Sequence, residues 1–99
     1  MKLFDIIDII SEDDEVILER ILSSLHDRQD EILQSEPLEY GYKYEKWLEK
    51  MEDLSGIIDD LEMLSATKTK KKRTIIVNRV KINLRYHQFT YGGLKRLDV

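Results

Sequence analysis

Lys68, Lys70, Lys71, Lys72 and Arg73 stand within six consecutive positions, and Arg79, Lys81 and Arg85 follow them at short intervals. Such a run could track the phosphates of a nucleic acid or dock on an acidic protein. Tyr86, Phe89 and Tyr91 are close by in sequence, and aromatic rings can stack on unpaired bases. The same residues also fit a plainer reading. Basic segments packed beside acidic helices, in one molecule or across a dimer, cancel much of each other's field.

Catalytic chemistry finds little support. The two histidines, His26 and His87, lie in different expected elements with no partner motif. His26 and Asp30 are one helical turn apart, a spacing that recurs by chance on charged helices and makes too weak a metal site. His87 sits beside Arg85, Tyr86 and Gln88 and is expected to face solvent. There is no cysteine, no Gly-x-Ser-x-Gly elbow and no phosphate-cradling glycine loop. Gly92-Gly93 is an isolated pair that reads as a turn. The expectation is a protein without enzymatic activity, cofactor or metal.

A second group suits contact with a protein. Tyr40, Tyr42, Tyr44 and Trp47 cluster at the start of an expected helix, and partly used aromatic residues make strong interface anchors. Trp47, Met51, Leu54 and Ile58 continue at spacings of three and four, the seam of antiparallel helical packing, and are expected to join two copies into a dimer.

The elements that must carry these groups differ in charge. Positions 1–66 hold 19 acidic against 6 basic residues, a net charge of −13, whereas positions 67–99 hold 1 against 10, a net +9. The overall charge of −4 hides this division.

Within the acidic part, Leu3, Ile6, Ile7 and Ile10 follow the helical spacing and predict a short N-terminal helix. Ser11 and Asp14 resemble a capping box for a second helix, which should reach about Gln34. Its stripe of Ile17, Leu18, Ile21, Leu22, Leu25, Ile32 and Leu33 is interrupted by Arg28 and Gln29, which implies local solvent access or a paired contact. Ser35-Glu36-Pro37 breaks the helix. The next one carries Tyr44, Trp47, Met51, Leu54, Ile58 and Leu61 and stops at Ser65-Ala66-Thr67. Gly56 inside it suggests close approach of another backbone.

In the basic part, Lys68 to Arg73 reads as a connector. Thr74 to Val77 then favour a strand, and Val80, Ile82, Leu84 and Tyr86 alternate with Arg79, Lys81, Asn83 and Arg85. The change of parity near Asn78-Arg79 requires a tight turn or bulge, and a short last strand is expected over 94–99.

The chain of 99 residues fits one domain, 1–99, of α+β class: a helical hairpin preceded by a short helix and followed by a small antiparallel β-hairpin or sheet. Asp5 and Asp8 interrupt any signal-peptide core, and no apolar run reaches membrane-spanning length, so a soluble cytoplasmic protein is expected. The favoured function is protein–protein interaction, as a small dimeric adaptor, regulator or inhibitor whose partners are itself and another protein. The alternative is nucleic-acid binding through the basic segment 68–85.

Overall fold

A computed structural model describes residues 15–94 of the chain. The helix expected over 3–10 and the Ser11/Asp14 cap lie outside the described residues, as does all but the first residue of the strand expected over 94–99. Three helices follow in order: α1 (Glu15–Gln34), α2 (Tyr42–Ala66) and α3 (Lys70–Tyr91).

The helical hairpin follows its periodicity, except that Leu33, placed in the α1 stripe, is 52% exposed. On α1 the side chains of Leu18, Ile21, Leu25 and Ile32 are buried. On α2, Leu54, Ile57, Ile58, Leu61 and Leu64 are buried, on an apolar face broad enough to pack against both α1 and α3. Trp47, Met51 and Leu22 pack at the margin of this core. Burial of each large aliphatic side chain contributes about 1.5–3 kcal/mol, the main favourable term. The polar break in the α1 stripe is resolved by paired contacts: Gln29 Nε2 donates to Ser55 Oγ across the α1–α2 interface at 2.7 Å, and Arg28 reaches Glu31 at 3.0 Å. Gly56, by contrast, is exposed, with nothing within 4 Å of where a Cβ would sit. The expected close approach of another backbone is not there.

Both connections are tied down by bonds to the helix ends. The Ile32 carbonyl, near the end of α1, accepts from the Ser35 backbone N–H at 3.0 Å, the Ser35 hydroxyl at 2.7 Å and the Trp47 indole N–H at 2.7 Å. At the other end only 67–69 separate α2 from α3. Arg73 reaches back across this link and donates to the carbonyls of Leu64 at 2.7 Å and Thr67 at 2.8 Å, satisfying acceptors the end of α2 leaves open.

The α+β class is overturned. No strand occurs among the described residues, and the segment read as a basic connector and β-hairpin is one helix of 22 residues. Val80, Ile82, Leu84 and Tyr86 were grouped on one strand face. A helix divides them: Val80 and Leu84 are fully buried, while Ile82 is 66% and Tyr86 53% exposed. Ile76, Val77, Val80, Leu84 and His87 form the buried stripe, with intervals of one, three, four and three. The parity change near Asn78 is therefore helical periodicity, not a turn. β-Branched residues are only mildly unfavourable in helices, and packing against α2 overrides that preference.

α3 ends at Gly92, the first residue of the pair expected to make a turn between β segments. Gly92 takes φ 73°, in the left-handed region, and its N–H bonds to the Gln88 carbonyl at 3.0 Å. The chain then folds back, so that Leu94 is fully buried and its N–H donates to Gln88 Oε1 at 2.6 Å.

Candidate interaction surface

Once the inner face of α3 has met α2, four large apolar side chains remain outside. Ile75, Ile82, Tyr86 and Phe89 are 55%, 66%, 53% and 92% exposed. Their intervals of seven, four and three bring them onto one side of the helix, opposite the buried stripe. At a rise of 1.5 Å per residue, Ile75 and Phe89 are about 21 Å apart along the axis. Other exposed apolar residues, such as Val16 on α1 and Met63 on α2, fall on separate elements and form no comparable line.

Cations border this track. Lys71 precedes Ile75 by four residues, Arg79 lies four after Ile75 and three before Ile82, and Arg85 lies three after Ile82 and four before Phe89. Each is a neighbour on the helix surface, and all three are exposed. α3 contains seven lysines and arginines and no aspartate or glutamate. Four of the cations, Lys70 to Arg73, occupy its first turn, where the positive end of the helix dipole disfavours them.

The candidate basic residues thus separate into two kinds. Arg73 closes the end of α2. Arg79 makes a forked pair with Asp60, Nε to Oδ2 at 2.9 Å and Nη2 to Oδ1 at 2.8 Å, which holds its pKa above the ordinary arginine value. Lys68, Lys70, Lys71 and Lys72 are exposed, while Lys81 is half-buried. Lys70 to Lys72 lie on a helix rather than in the expected connector.

The candidate interface residues separate too. Leu54 and Ile58 are buried by the chain's own helices, so they have no surface to offer a second copy and the expected seam loses its centre. Trp47 and Met51 stay partly buried at the core margin. Tyr40 and Tyr42 are strongly exposed, and Tyr40, Tyr44 and Trp47 form a ladder with ring centroids 4.9 and 5.4 Å apart.

His87 is the clearest correction among the polar groups. It was expected in solvent but is fully buried, with Nδ1 2.7 Å from Asp53 Oδ2 and Nε2 without a partner among the described residues. Burial lowers its pKa, and the charges of Arg28 and Lys50 add to that, against the opposing pull of Asp53. His26 faces Glu62 at 3.5 Å, not Asp30, and no group of three metal-ligating side chains occurs among the described residues. None of the described helices is long and apolar enough to cross a membrane.

Beside the outer track, α2 and the end of α3 border an open cleft of about 580 Å³ lined by Lys43, Lys46, Lys50, Trp47, Tyr86 and Tyr91, among others. The sequence reading passed over its three lysines because they belong to the acidic part, where the net charge of −13 masks them. Their spacing of three and four, the mark of one helix face, was the available signal. The chain matches no protein-family model, no curated protein and no solved structure among those compared.

Proposed function

We propose that the chain is a protein-interaction module that captures an acidic amphipathic helix of a partner protein on the outer face of α3. The observation that carries this reading is the track of Ile75, Ile82, Tyr86 and Phe89, exposed on one side of α3 and bordered by Lys71 and Arg85, with Arg79, paired to Asp60, between Ile75 and Ile82. Solvent-exposed apolar residues scattered singly need no explanation, but Ile82, Tyr86 and Phe89 are neighbours on the helix surface, and an apolar group edged by polar ones is a mark of recognition. Its length of about 21 Å matches four turns of a docked helix.

Charge selects the occupant. Two copies of α3 laid face to face would set Lys71, Arg79 and Arg85 of one against those of the other with no carboxylate on either helix, a like-charge arrangement that disfavours self-pairing through this surface. A partner with leucines at helical spacing and glutamates on the flanks meets both the apolar line and its rims. No step of this reading involves catalysis.

The test uses a labelled helical peptide of that pattern, its lysine-flanked counterpart, and fluorescence anisotropy at low and moderate salt. The acidic peptide binds at micromolar concentration and weakens with salt, the basic one does not bind, and Ile82→Ser/Phe89→Ser abolishes binding while the thermal melt is unchanged. Equal binding of both peptides, or an unaffected double variant, would refute the reading.

Nucleic-acid binding is the second reading, favoured by the seven cations and absent carboxylates of α3. It requires affinity for DNA or RNA that falls steeply with salt and is lost on replacing Lys70, Lys71 and Lys72 with Gln.

A further inference from the structure

We infer that the cleft between α2 and the end of α3 is a binding site for a small phosphorylated aromatic anion, of the nucleoside monophosphate class. The cleft, at about 580 Å³, lies within the size range of small-molecule sites. One wall is cationic. Lys43, Lys46 and Lys50 project from successive turns of α2, and Glu49 is the sole carboxylate among the lining residues. Three ammonium groups against one carboxylate leave a formal +2.

Asp53, whose charge adds to burial in raising the pKa of Tyr91, is held by His87 at 2.7 Å and does not line the cleft. Glu49 bonds Lys46, at 3.4 Å, so its charge is already engaged. Lys50 is partly withdrawn from water and lies in the field of Arg28, both of which lower its pKa. Lys43 also occupies the first turn of α2, where the positive end of the helix dipole disfavours a cation. Three like-charged side chains gathered on one wall with a single carboxylate among them are what an anion site requires. A carboxylate carries one charge and leaves the site unbalanced. A phosphate monoester, at about −1.5 to −2 near neutral pH, balances it.

The remaining wall selects what the phosphate is attached to. Trp47, Tyr86 and Tyr91 line the same cleft as the lysines. The indole N–H is fixed on the Ile32 carbonyl, which holds the Trp47 ring in place. An aromatic ring fixed beside a cationic group suits a planar base joined to a phosphate, with ring stacking on one side and charge on the other.

Trp47 is the only tryptophan of the chain, so its emission reports on the cleft directly. The full chain is titrated with adenosine monophosphate, adenosine and inorganic phosphate, at low and moderate salt, with saturation-transfer NMR as a second readout. The monophosphate gives a saturable response that weakens with salt. Adenosine and phosphate each bind at least ~10-fold more weakly, and Lys43→Gln/Lys46→Gln reduces the affinity by ~10-fold or more. Those two lysines are exposed, so the variant keeps the wild-type melt; Lys50→Gln is the independent second variant. The inference is overturned if neither readout saturates, if phosphate alone binds as tightly as the monophosphate, or if both variants keep wild-type affinity. The two sites share Tyr86, but Ile82→Ser/Phe89→Ser removes peptide capture and leaves these lysines in place, so the two proposals fail separately.

Discussion

His87 Nδ1 and Asp53 Oδ2 lie 2.7 Å apart across the interface of α3 and α2, with the imidazole wholly excluded from solvent. An Nδ1–H donated to the carboxylate leaves Nε2 as the unprotonated nitrogen, and it has no partner among the described residues. Protonating it would create a buried donor with nothing to receive it.

Stability should therefore fall on mild acidification. The folded-state pKa of His87 is lowered, chiefly by burial, so the unfolded chain binds the proton more readily. This contribution is fully present above the unfolded histidine value of about 6.5 and declines as pH drops through it towards the lower folded value. Thermal melts from pH 8 to 5 should show this decline in the wild type, and a flatter profile in His87→Phe. Equal profiles would show that His87 takes up its proton without penalty.

Gly56→Ala should stabilise the protein by up to about 1 kcal/mol, because alanine is favoured in a helix interior and the exposed site has room for a Cβ. Chemical denaturation measures the gain. A loss would reveal a contact at this position.

Ile58→Asp should unfold the chain, not dissociate it. The side chain is 3% exposed within a single copy, and burying an unpaired carboxylate in such a core costs several kcal/mol, about 3 or more. Circular dichroism should show lost helix independent of protein concentration. A folded monomer by sedimentation would contradict the placement.

Gly93 should tolerate no side chain. Its φ of 85° is in the left-handed region, and a Cβ there would overlap the Arg28 guanidinium. Gly93→Ala should lower the melting temperature, whereas Lys70→Gln/Lys71→Gln should leave it unchanged or raise it, since those cations sit in the first turn of α3.

The hairpin was legible in the sequence because α1 and α2 carry a single helical stripe each, and Pro37 and Thr67 fall at their ends. α3 was misread because it has two apolar stripes, one buried and one exposed. In sequence, their overlap from Val80 to Tyr86 imitates the alternation of a strand. That second stripe, an excess of apolar residues for a flank helix, is also what defines the candidate surface. Its cations were recognised, but their helical placement was not. Arg73 and Arg79 looked equivalent to their neighbours, since nothing in the sequence marks them as partners of the Leu64 carbonyl and of Asp60. The lysines of the cleft were hidden by averaging charge over a long acidic segment.

The most direct test of the proposed interface is a chemical-shift titration of isotope-labelled protein with the acidic amphipathic peptide. Perturbed amides should concentrate on α3 around Ile75, Arg79, Ile82, Tyr86 and Phe89. Perturbations confined to α1, or the absence of any at saturating peptide, would contradict that interface.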